Sequence, residues 1–449
     1  MAVISGDVVL GKRKPVFTVL LIAVNVAVYI HTTGYLLAST LPAYLASYGY
    51  RPVYALCDLP RAIETVLTSM FMHADIFHLF FNMLFLWVFG SRLEKLIGHL
   101  KFLALYFASG FSAVAFHTAF TAIGGLEALG IPAIGASGAI SGVLGAYLML
   151  LPRTRIVLCM FFFFMPYCFR LPAYVYLLIW FAQQVIYGYM VLGGVAYFAH
   201  VGGFVLGLAL SPLLARGLRI RRAYFDESLF RYMEEVLGVL LPRRMGLGKW
   251  AKALLAALLL AVVAGYGYGY AVLTSGNYLV YAMSVSASIN GDFQNETTAF
   301  YAVNGEVALS PAVLDNTRIF VNRLASDVIL NKDLAGKTIQ LQKRYSVYVQ
   351  GVEVGVVLVG SATYDENGVL VYSSGVAKTN VVKFRGYRWV QGEPVEISYV
   401  LESQAASLDA LKALCMLSAA VTALALLAVF TCKGVGFYGY EEAFAGPLI

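Results

Sequence analysis

Apolar residues run through this chain in long unbroken blocks, with polar residues confined to the gaps. Eight windows, about 15–35, 77–97, 101–122, 137–151, 172–189, 198–215, 250–272 and 408–431, carry almost no charge over most of the ~20 residues that cross a hydrocarbon core. Each is predicted to be a transmembrane helix. The run at 155–170 is apolar too, but Pro166 breaks it and Arg155 and Arg170 flank it, so it reads as an interfacial connection and not as a span. Between the last two windows the period changes. "YSVYVQGVEVGVVLV" and "YDENGVLVYSS" alternate apolar and polar positions, with Asn367-Gly368 marking a turn between strands. "TRIFVNRLASDVILNKDL" has helical spacing. Residues 275–407 are therefore predicted to form one β-rich, α+β domain.

Composition agrees. Of 449 residues 60% are hydrophobic and 13% charged, against roughly 45–50% and 25% in soluble proteins. The net charge of +7 would suggest nucleic acid in a soluble chain. Here the basic residues bunch at the ends of apolar runs, at Arg153/Arg155, 216–222 and Arg243/Arg244/Lys249, which is the positive-inside pattern. The expected partner is thus the lipid bilayer, with no nucleic acid. Residues 1–14, the linker 217–249 and the tail 432–449 are expected in the cytoplasm, and the 275–407 domain outside. The loops at 36–76, 123–136 and 190–197 also fall outside, with only Arg51 and Arg61 as basic residues. No cleavage-site pattern ends the first run, so it is read as a retained span. The five cysteines have no CxxC or metal spacing, so no disulfide framework, metal or cofactor is expected.

Three polar groups interrupt the apolar pattern: "HADIFHLFFN" opening the second span, "GASG" opening the fourth and "AYFAHVGG" opening the sixth. Polar side chains inside a bilayer mark function by default. These three spans all run from outside to inside, so His78, Asn82, Ser137 and His200 lie at similar depth. His78 and Asn82 share one helix face at i, i+4. Gly135 and Gly138 box the serine, Ser141 continues its small-residue stripe, and Gly203 and Gly207 form a bare stripe below His200. Small faces let helices approach closely in lipid, as a Ser–His hydrogen bond of about 2.6–3.2 Å requires. Ser137 then reads as a nucleophile and His200 as its base. The Ser137 backbone N–H, His78 and Asn82 read as oxyanion donors. No carboxylate lies at matching depth, so a dyad is expected. His31, His99 and His117 are assigned to structure or interface.

"GASGAISG", "HLFFN", "AHVGG" and "FGSRLEKLIG" resemble the rhomboid family of intramembrane serine proteases, over about residues 15–216. The resemblance implies a six-helix bundle that cleaves transmembrane segments of other proteins, with Ser137 as nucleophile, His200 as base, and His78 and Asn82 as oxyanion donors. It also assigns His73 to the cavity rim, holding structure or water. Some members carry an aromatic residue four after the serine, stacked on the imidazole; here that position is Ser141. The last two spans and the domain between them lie outside the resemblance. The expected fold class is an α-helical polytopic membrane protein: a six-helix bundle plus two further transmembrane helices flanking a β-rich extracytoplasmic domain. The competing reading is a proteolytically inactive relative that binds membrane clients through that domain.

Overall fold

A computed structural model describes residues 2–5, 14–34, 39–162, 165–191, 195–216 and 246–432. The expected linker up to residue 245 and the tail from residue 433 lie outside the described residues. Eight apolar helices stand where the eight windows were read: α1 (Val16–Thr33), α2 (Ile76–Ile97), α3 (His99–Gly124), α4 (Ser137–Leu150), α5 (Ala173–Tyr189), α6 (Tyr197–Ala215), α7 (Lys249–Ser275) and α8 (Leu408–Thr431). All but α4 and α5 are long and apolar enough to cross a membrane. The chain is an integral multi-pass membrane protein with a helical core.

At 14 residues, α4 reaches only about 21 Å, against a hydrocarbon core of about 30 Å. It is the buried centre of the bundle: every residue from Gly138 to Leu150 is covered. Its glycines permit this. A Cβ on Gly203 of α6 would fall on the Gly138 carbonyl of α4, and one on Gly207 would fall on the Gly142 carbonyl. In lipid, where apolar side chains gain nothing by leaving their surroundings, such backbone approach holds helices together.

Two carboxylates set where helices begin. Asp75 caps α2, accepting from Phe77 N at 2.8 Å and His78 N at 2.9 Å, which puts His78 in the first turn. Glu94, near the end of α2, accepts from Phe17 N, Thr18 N and Thr18 Oγ1 at 2.7–2.9 Å and meets His99 Nδ1 at 2.6 Å. It thereby anchors the start of α1.

The 155–170 segment is not a span, as read, but its form is a hairpin. Strands β2 (Arg155–Phe162) and β3 (Met165–Pro172) pair antiparallel, and β1 (Ala2–Ser5) adds to β2. Residues near the N-terminus therefore lie at the same end of the bundle as the α4–α5 connection. The register sets Cys159 opposite Cys168, and Cys168 is disulfide-bonded. This bond corrects the expectation of no disulfide framework, which rested on the cysteines lying in or beside apolar segments.

Beyond α7 comes a seven-stranded antiparallel sheet: β4 (Tyr278–Ile289), β5 (Asp292–Val303), β6 (Glu306–Leu309), β7 (Thr338–Val349), β8 (Val352–Tyr364), β9 (Leu370–Arg385) and β10 (Arg388–Ala405), in spatial order β6-β5-β4-β10-β9-β8-β7. Gly368, at φ +76°, makes the expected β8–β9 turn. The helical stretch is shorter than read, two pieces at Asp315–Val321 and Ser326–Ile329. Helix α8 packs on α7, α3 and α6, and α7 packs also on α3 and α5. They lead directly into β4 and out of β10, the paired central strands (Ala405 opposite Tyr281). The sheet thus rises from that helix pair, at the bundle end where α4 begins.

Candidate functional site

Ser137 is the first residue of α4, and the loop before it is held on three sides. Gly135 N donates to Ser69 O at 2.9 Å, Tyr50 pairs with Ala133, and Val53 N donates to Leu129 O. Gly135 sits at φ +124°, a backbone conformation only glycine adopts without strain. A Cβ there would lie 2.8 Å from His78 Nε2 and 3.5 Å from Ser137 Oγ. The bare glycine is what lets the His78 ring close on the serine.

His200, in the first turn of α6, faces Ser137 with Nε2 at 2.8 Å from Oγ. Its other ring nitrogen, Nδ1, lies 2.8 Å from Gln184 Oε1 on α5. An amide oxygen only accepts, so Nδ1 carries the proton and Nε2 presents a lone pair to the hydroxyl. Trp180, one turn before Gln184, leans on the same imidazole with ring centroids 6.1 Å apart. Ser141 does not touch the imidazole; its hydroxyl donates to the Ser137 carbonyl at 2.6 Å.

His78 accepts from Ala74 N at Nδ1 (3.3 Å), leaving Nε2 to carry a proton toward the space beside Ser137. Asn82 shares that face, and its Nδ2 donates to the His78 carbonyl at 2.8 Å, so part of its donor capacity is occupied within its own helix. His73 is not at a rim. It is fully buried, its ring packs edge-on against His78 with centroids 5.0 Å apart, and neither ring nitrogen has a hydrogen-bond partner. Burial, with His78 adding in the same direction, holds it down to about 3, so the ring is neutral. The rim position came from the resemblance alone; in this chain Met70, Met72 and His73 are buried beside α2.

Ser137, His200, His78 and Gly135 lie together where α4 begins, and below them Gly203 meets Gly138 and Gly207 meets Gly142. Sequence reading missed Gln184 and Trp180. The signal was available: Gln183-Gln184 interrupts the fifth apolar window near its C-terminal end, as the three noted motifs interrupt theirs. Among the described residues no group of three or more His, Cys, Asp or Glu could hold a metal ion.

Residues 60–217 match the Rhomboid domain family. The chain is 31% identical over 160 residues to Rhomboid protein 1, mitochondrial, of Saccharomyces cerevisiae, covering 35% of this chain and 44% of that one. It is 30% identical over 213 residues to RHOMBOID-like protein 1 of Arabidopsis thaliana, covering 47% and 48%. It is also 32% identical over 142 residues to Rhomboid protease GluP of Bacillus subtilis, covering 31% and 25%. The chain spans less than half the length of each of these relatives.

Proposed function

We propose that this chain, which carries a rhomboid domain over residues 60–217, is an intramembrane serine endopeptidase acting on transmembrane segments of other membrane proteins. The observation that carries this reading is the 2.8 Å contact of His200 Nε2 with Ser137 Oγ at the start of a short, central helix. His200 Nε2 takes the hydroxyl proton as Oγ bonds to the scissile carbonyl carbon. The carbonyl oxygen becomes an oxyanion, accepting from the Ser137 N–H and His78 Nε2–H, with Asn82 in support. As the intermediate collapses, the C–N bond breaks and the imidazolium returns its proton to the leaving amine. Water, deprotonated by the same ring, then hydrolyses the acyl-enzyme. Basic loop residues orient the N-terminus to the cytoplasm, and the site and β-domain to the other side.

The test is cleavage of a reconstituted transmembrane substrate by wild type and Ser137→Ala at matched melting temperature. Turnover is expected to vanish in the variant. Equal turnover removes the assignment. Absence of both turnover and serine-probe labelling in the wild type would favour a client-binding relative instead.

A further inference from the structure

We propose that Gln184 is the positioning residue of the Ser137–His200 pair, selecting through its amide oxygen the imidazole tautomer that can act as a base. The proposal rests on the reading above, in which Ser137 and His200 perform the chemistry. Gln184 is buried on α5, with Oε1 2.8 Å from His200 Nδ1. A neutral imidazole has one N–H. With the proton on Nδ1, it donates to Gln184 and Nε2 accepts from Ser137. With the proton on Nε2, two lone pairs would face each other across 2.8 Å, and the serine would meet a donor instead of a base. A reversed amide would have the same disabling effect, because its NH₂ would donate to Nδ1.

The same α5 face supplies orientation as well as tautomer, since Trp180 and Gln184 are i, i+4 and both meet the imidazole. Ser141, where some relatives of this family carry an aromatic, is turned to the Ser137 carbonyl and contributes nothing to that ring. An amide also suits the surroundings better than a carboxylate. The other titratable groups acting on His200 are His78 from α2 and His117 from α3, both bases, and no acidic group is among them in the described residues. A carboxylate beside a neutral imidazole here would be a buried, unpaired charge in the resting state. The amide bond strengthens only when the imidazolium forms, since a charged donor makes the stronger hydrogen bond. Its effect therefore falls on the bond-making step more than on binding.

The experiment uses the full chain in detergent and a fluorophosphonate probe, with labelling rates measured against pH for wild type, Ser137→Ala, Gln184→Met and Gln184→Glu. Gln184→Met is expected to label on the order of 10²-fold more slowly, the low end of what a positioned base contributes. Gln184→Glu restores an acceptor. It is expected to label near the wild-type rate at high pH, with the acidic limb of its profile moved upward by about one pH unit or more. A glutamine that only packs would leave the labelling rate of Gln184→Met near that of wild type. Labelling of Gln184→Met within twofold of wild type, with an unmoved limb, overturns the proposal. If Gln184→Met melts early, Gln184→Asn decides, since it keeps an amide but shortens it away from His200 Nδ1: labelling within twofold of wild type overturns, a loss of about 10-fold or more supports. Labelling that persists in Ser137→Ala, or is absent from wild type, instead removes the underlying protease reading, and the role of Gln184 falls with it.

Discussion

Glu296 of the β-domain and Arg51 of the membrane domain meet at 3.0 Å with both side chains fully buried. Neither is left with a single bond. Glu296 also accepts from Val313 N and Leu314 N at 3.0 Å and from the Thr317 hydroxyl. Arg51 also donates to the Gly130 carbonyl, and Gly130 N donates to Ser310 Oγ at 3.2 Å. Gly130 lies in the same loop as Gly135, so the β-domain grips the segment that presents Ser137.

Removing one partner of a buried ion pair strands the other, at a cost of about 3–5 kcal/mol. Both Arg51→Met and Glu296→Leu are expected to lower the stability of the full chain to chemical unfolding in detergent. Glu296→Leu is expected to cost more, because it also orphans two backbone N–H groups and the Thr317 hydroxyl. No loss in either variant would contradict a shared buried network, and equal losses would contradict the added weight of the backbone and Thr317 contacts to Glu296.

Gly135→Ala places a methyl 2.8 Å from His78 Nε2 on a backbone at φ +124°. The ring must withdraw, removing one oxyanion donor. Turnover is expected to fall about 10²–10³-fold with little change in KM. A variant as active as wild type would show that His78 does not serve the oxyanion.

Gly203→Ala drives a methyl into the Gly138 carbonyl, backbone against backbone, where no side chain can give way. Helices α4 and α6 must part, stretching the 2.8 Å Ser137–His200 contact. Overpacking of this kind costs about 1–3 kcal/mol. Fluorophosphonate labelling is expected to drop in proportion far beyond the loss in melting temperature. Gly248→Ala, whose added methyl meets nothing, serves as the control and is expected to behave as wild type.

His73 predicts a pH effect on stability. An ordinary histidine binds a proton near pH 6.5, while His73 in the native chain is held down to about 3. Between those values the unfolded chain carries a proton that the native chain refuses. Stability from this group is therefore intact above about pH 6.5 and lost as pH falls toward 3, by about 1.4 kcal/mol per pH unit. His73→Phe keeps a ring against His78 and is expected to flatten unfolding stability between about pH 4 and 6 relative to wild type. Parallel profiles would refute the buried neutral ring.

Much of this protein is determined by its sequence alone. The apolar runs locate the helices. The shared direction in which α2, α4 and α6 run puts His78, Ser137 and His200 at similar positions along the bundle. The stripes at Gly138, Gly203 and Gly207 announce which helices touch. These are local or one-dimensional facts, because a bilayer forces every span to the same axis and reduces much of a three-dimensional question to depth and face. Tertiary structure alone decided which neighbour each polar group meets. Gln184 reaches His200, Arg51 pairs with Glu296 across 245 residues, and residues 2–5 extend a hairpin at 155–172. None of these pairings leaves a periodic trace. Each depends on how separate segments pack around a common centre, and a side chain's own sequence neighbours do not carry that information.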